Sequence, residues 1–169
     1  MTDKPLSLLK KIGHQHYQES HGLHYDDFTV GDIYEHRPGR TITEADNTWQ
    51  SLINLNTHPL HIDHAYAATT AFGKPLVSSL VTFSIIGGLS LASTSARAIA
   101  NLGWNNIKLL KPVFIGDTLY ARSTVMAKRP SATRPGEGIV TIQTHGLNQH
   151  QKTVLSWERS FLISLKTDD

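Results

Sequence analysis

Asn56-Thr57-His58-Pro59-Leu60-His61-Ile62-Asp63, with Tyr66-Ala67 and Phe72-Gly73-Lys74-Pro75-Leu76-Val77 close behind, is the stretch on which the reading of this chain turns. It puts two imidazoles, a side-chain amide and a proline turn into one short polar run. From Pro75 to Ser95 no residue is charged. Val77, Leu80, Val81, Ile85, Leu89 and Ala92 keep helical spacing there, so a long helix is expected from Leu76 to about Arg97. Its length raises the question of a membrane span. The serines and threonines from Ser78 to Ser95 dilute its hydropathy, and a helix buried on most sides in a protein core is the better reading. Gly87-Gly88 weakens that helix unless another backbone comes close.

On the N-terminal side, Thr43-Glu44-Ala45-Asp46 reads as a helix start. The threonine can accept from an orphan amide, and the acids favour the positive end. That helix should reach about Leu55, with Trp49, Leu52 and Ile53 on one face. Before it, Ile33 to Arg37 alternates as a strand, interrupted at Pro38-Gly39, and Arg40-Thr41-Ile42 can resume it. Asp63 is placed to cap a short helix from His64 to Thr70. Beyond Ala98 the period changes to two. Strands are expected at Ile107–Leu110, Thr118–Lys128, Ile139–Leu147 and Thr153–Leu165, with a hairpin at Asn148–Lys152. One early helix followed by long antiparallel strands is an α+β plan, a curved sheet wrapped around a helix.

The 169 residues suit one domain, taken as residues 25–169, with residues 1–24 read as an arm or a short amphipathic helix. His14, His16, His21 and His24 fall in that arm and are read as solvated. Pro5-Leu6-Ser7-Leu8-Leu9 is too short for a signal h-region and is followed by lysines in the wrong order. There is no cysteine, which excludes disulfides, thiolate metal sites and a cysteine nucleophile, and is compatible with the cytoplasm. Sixteen basic and fourteen acidic residues give a net charge of +2 without a basic cluster, so nucleic acid is not an expected partner.

His61 is the centre of the candidate chemistry, because an imidazole can accept and return a proton near neutrality. Its bland alternative is a hydrogen-bonded histidine in a turn. Asn56 can hold a water or a carbonyl, or keep His61 in one tautomer, or merely cap the turn. His58 is extended ahead of Pro59 and points either to the site or to water. Ser78 and Ser79 stand where the first amides of the long helix lack helical partners, so the Ser79 N–H can receive a thioester oxygen gaining charge. Two imidazoles three apart can share a metal, but no third ligand is indicated and none is expected.

These residues resemble the MaoC-like dehydratases, also called R-specific enoyl-CoA hydratases. The likeness rests on Pro59 to Asp63, Tyr66-Ala67, Phe72 to Val77 and Lys111-Pro112-Val113-Phe114-Ile115-Gly116-Asp117-Thr118-Leu119. The resemblance implies a hotdog fold, dimers whose sheets join, and addition of water to a trans-2-enoyl-CoA without metal or redox cofactor. The family turn is usually Asp-x-Asn-Pro-hydrophobic-His. His61 keeps the histidine, Asn56 replaces the aspartate, His58 replaces the asparagine, and Ser78-Ser79 replaces the usual His-Gly. Thr43 to Asn47 together with Asn56 to His61 looks like a MaoC subgroup in which the Asn/His version is itself usual. Altered chemistry or substrate is therefore expected rather than a dead copy. A branched or dicarboxylic substrate of the mesaconyl or itaconyl type could bring its own carboxylate, with Arg37 or Arg40 to pair with it. The rival readings are an acyl-CoA thioesterase, against which the acid-free helix counts, and a non-catalytic acyl-CoA-binding subunit.

Overall fold

A computed structural model of the chain describes residues 9–166. The elements are β1 (Leu9–Gly13), β2 (His16–Glu19), a 3-10 turn (Tyr25–Asp27), β3 (Ile33–Thr41), α1 (Glu44–Ile53), α2 (Pro59–Ile62), α3 (His64–Ala68), α4 (Ser79–Thr94), β4 (Ala98–Leu109), β5 (Thr118–Pro130), β6 (Glu137–Leu147) and β7 (Thr153–Ser164). Strands β3 to β7 form one antiparallel sheet in the order β3-β5-β6-β7-β4. Helix α4 lies across its inner face, which is the wrapped-helix α+β plan expected from the sequence.

The alternation read in β5 is the observed one: Leu119, Ala121, Ser123 and Val125 are buried, and the residues between them are not. Leu119 and Ala121, with Leu155 and Trp157 of β7, meet Val81 and Ile86 of α4. The approach is close enough that a Cβ on Gly146 of β6 would sit 1.9 Å from Cδ1 of Ile86. A second cluster joins Leu23, Tyr25 and Phe28 to Val140, Ile142, Phe161 and Ile163. Leu23 thus belongs to the core rather than to an arm. Residues 9–19 form a β1–β2 hairpin, not the short helix considered above, and the part of that stretch at residues 1–8 lies outside the described residues.

The long helix starts later than its periodicity suggests. Leu76 bridges Phe114, and the N–H of Val77 donates to the carbonyl of Val113 at 2.9 Å. Both residues are held extended by a segment distant in sequence, and Ser78 becomes the N-cap residue. Along α4, Leu80, Ser84, Gly88 and Leu91 face outward, so one stripe of the helix is open. Nothing lies within 4 Å of a Cβ placed on Gly87 or Gly88, so among the described residues no backbone from outside the helix approaches them. No helix among the described residues is long and apolar enough to cross a membrane.

The face of α1 that turns inward is also not the apolar one. Asn47 and Ser51 are buried, whereas Trp49 and Ile53 are 69% and 75% exposed. The helix start itself is as read: Thr43 accepts from the Asp46 N–H, and the Asp46 carboxylate accepts from the Thr43 N–H at 2.8 Å.

Candidate active site

Three chain segments converge on the histidine run. His58-Pro59-Leu60-His61 is itself a helical turn, α2, started by Pro59 and capped by the His58 ring, whose Nδ1 accepts from the Leu60 N–H at 3.2 Å. Asp63 then caps α3 by accepting from the Tyr66 N–H at 2.9 Å, as its position in the sequence requires. The Leu76 N–H donates to the Leu60 carbonyl at 3.1 Å, which brings the lead-in to α4 alongside α2.

His61 is half-buried, and its Nδ1 lies 2.8 Å from the Leu76 carbonyl oxygen. A carbonyl can only accept, so Nδ1 carries the proton and Nε2 presents its lone pair. The tautomer is set by a backbone carbonyl and not by Asn56. The Asn56 Nδ2 donates instead to the Ser78 hydroxyl at 3.3 Å, and its Oδ1 accepts from the His58 N–H at 3.3 Å. The His58 and His61 rings are 5.9 Å apart between centroids.

At the start of α4 the two serines divide. Ser78 is fully buried and its N–H donates to Asn47 Oδ1 at 2.9 Å, so that amide is not open to a substrate oxygen. Ser79, the first residue of α4, is exposed and keeps the helix-terminal position expected of an oxyanion donor. Arg40 is held by Asp46 at 2.7 Å, and Arg37 by Glu35 at 3.1 Å with its guanidinium over the Tyr120 ring. Both arginines thus have acids of their own chain, and both side chains remain about half exposed.

One residue the sequence reading left unassigned joins these parts. Asn47 is completely buried; its Nδ2 donates to the His61 carbonyl at 2.8 Å while its Oδ1 takes the Ser78 N–H. The available signal was an asparagine, a poor helix former, inside the first turns of α1.

Residues 27–146 match the family described as MaoC like domain. The chain is 30% identical over 142 residues to the mesaconyl-CoA hydratase of Cereibacter sphaeroides, an alignment that covers 84% of this chain and 41% of that one. It is 38% identical over 72 residues to the (R)-specific enoyl-CoA hydratase of Aeromonas caviae, covering 43% of this chain and 53% of the relative. Among solved structures, a Mycobacterium tuberculosis protein with a double hotdog fold superposes with a TM-score of 0.80 at 24% identity, over 88% of this chain and 46% of that one. The chain therefore spans less than half the length of the Cereibacter sphaeroides and Mycobacterium tuberculosis proteins. Its own fold is a hotdog, and it belongs to the MaoC-like domain family.

Proposed function

We propose that the chain hydrates a trans-2-enoyl-CoA thioester to the 3-hydroxyacyl-CoA, and that the working unit is a homodimer. The observation that carries this reading is the His61 ring, held through Nδ1 on the carbonyl of Leu76, three residues before Ser79 opens α4, with Nε2 left as the acceptor. Water, held by Asn56, attacks C3 while His61 Nε2 takes its proton. The electron pair of the C2–C3 double bond moves toward C1, and the thioester oxygen gains the charge that the Ser79 N–H receives. Protonated His61, or His58, then returns a proton to C2. A C3–O bond and a C2–H bond form at the expense of one O–H bond and the C2–C3 π bond, with no net oxidation or reduction, so the cycle as written calls for no metal or redox group.

Asn56 suits the water-holding role because each half of its amide is used only once by the turn, and an amide has two donors and two lone pairs. The names of the two relatives support a CoA thioester, and the first supports a branched dicarboxylic acyl group of the mesaconyl type. For the dimer, β4 is the edge of the sheet, and it exposes Ile99, Leu102, Trp104 and Ile107. The open stripe of α4 lies in the same protomer, and a second copy would supply what the other half supplies in a double hotdog chain.

The test is a set of CoA thioesters, with crotonyl-CoA and mesaconyl-CoA first, followed by mass analysis of the products. Gain of one water with the thioester intact supports hydration. Release of free CoA would make the protein a thioesterase, and tight binding without conversion would make it an acyl-CoA-binding module.

A further inference from the structure

We infer that Asn47 is the positioning residue of this site, the group that fixes the base and the oxyanion donor relative to each other; the inference rests on the hydratase reading above. An asparagine inside a helix is less favourable than alanine, and a buried amide without partners costs more. Asn47 makes neither of its side-chain bonds within α1. Both go to the two segments that carry the chemistry: the His61 carbonyl at 2.8 Å and the Ser78 N–H at 2.9 Å.

Two consequences follow for the reaction. By occupying the Ser78 N–H, Asn47 makes the Ser79 N–H the first free amide of α4, and so selects which donor meets the thioester oxygen. By holding the His61 carbonyl, it sets the backbone of the base. The base acts at C3 and C2 while the donor acts at C1, so their separation must match the enoyl thioester. An error of about 1 Å in such a placement costs roughly 100-fold in rate. The other ties here, Leu76 to Leu60, His61 Nδ1 to Leu76 and Asn56 to the Ser78 hydroxyl, come from α2 and the turn before it, not from α1. Asn47 alone among the described hydrogen-bonding side chains bonds to both His61 and Ser78 from α1.

The residue must also be an amide. A carboxylate could still accept from Ser78, but it would face the His61 carbonyl oxygen with no proton to donate. It would also put a negative charge at the helix end where the enolate forms.

The experiment compares wild type, Asn47→Asp, Asn47→Ala and, as a stability control, Thr144→Val. The control removes a buried hydroxyl that bonds Ser123 at 2.8 Å in the sheet. Hydration of crotonyl-CoA and mesaconyl-CoA is followed with thermal unfolding. Asn47→Asp and Asn47→Ala should each lose about 100-fold in kcat, with KM changed less than about threefold. Thr144→Val should lower the unfolding temperature by a comparable amount and keep kcat. Folded Asn47 variants with wild-type kcat, a change confined to KM, or an equal kcat loss in Thr144→Val would each overturn the inference. Should neither Asn47 variant fold, the wild type decides by NMR. Coupling through the hydrogen bond from Asn47 Nδ2 to the His61 carbonyl carbon supports the assignment, and its absence overturns it. A wild type that leaves every enoyl thioester unchanged overturns the hydratase reading and this one with it, and the wild-type arm shows that separately.

Discussion

The Nδ1–H of His61 donates to the carbonyl oxygen of Leu76 across 2.8 Å. That bond turns the Nε2 lone pair outward from the backbone, and Leu76 is two residues from the N-cap of α4. The base is thus tied directly to the segment that leads into the helix.

His61→Ala should therefore abolish hydration while the protein remains folded. The ring is only half-buried and is not among the buried side chains of the core. A fall of about 100-fold to 10,000-fold in kcat is expected for loss of a general base. Nitrogen chemical shifts of the His61 ring in neutral solution should show a protonated Nδ1 and a bare Nε2. The reverse tautomer would remove the hydrogen bond on which the role depends.

Asn56→Asp should be accepted by the fold, because the Ser78 hydroxyl can turn and donate to the carboxylate it now receives from. The His58 N–H keeps its acceptor. The new anion in the histidine turn favours protonated imidazole. The acid limb of the kcat/KM profile should then move to higher pH. An unchanged profile would place Asn56 outside the electrostatic reach of the base.

Local signals account for most of what was legible beforehand. The Thr43–Asp46 and Asp63 caps, the alternation of β5 and the Asn148–Lys152 hairpin each depend on neighbours within a few residues. The features that were misplaced depend on distant partners. Leu76 and Val77 continue a helical pattern, yet strand-like bonds to Phe114 and Val113 hold them out of α4. Trp49, Leu52 and Ile53 do mark one face of α1, but periodicity cannot say which face turns inward. Here the buried face is Asn47 and Ser51, and the Asn47 amide is satisfied there by His61 and Ser78. The pairing of Arg40 with Asp46 likewise follows from β3 meeting α1 in space.

Below neutral pH the core should lose stability through His36. Its ring is buried between the hydroxyls of Ser93 and Ser123, each 2.8 Å away. Burial, together with the Arg37 and Arg159 guanidiniums and against the pull of Glu35, pushes it from 6.5 to about 4. The unfolded chain then binds the proton more tightly than the folded one. The contribution is full above about pH 6.5, falls as the pH drops through that value, and is gone below about pH 4, up to roughly 3 kcal/mol in total. Urea unfolding between about pH 4.5 and 7.5 should show this slope, and His36→Gln should flatten it.

Gly88→Glu tests the second copy without disturbing the first. A Cβ at Gly88 meets nothing within 4 Å, and the position lies on the outward stripe of α4 with Leu80, Ser84 and Leu91. Replacing a mid-helix glycine should if anything steady the protomer, by up to about 1 kcal/mol. In a dimer joined along β4 and this stripe, the new carboxylate would be trapped between apolar surfaces, which costs several kcal/mol. Sedimentation equilibrium should then give a monomer with an unchanged circular dichroism spectrum where the wild type gives a dimer. If Gly88→Glu sediments as a dimer, the copies meet elsewhere, and the exposed Leu91 and Trp104 need another partner.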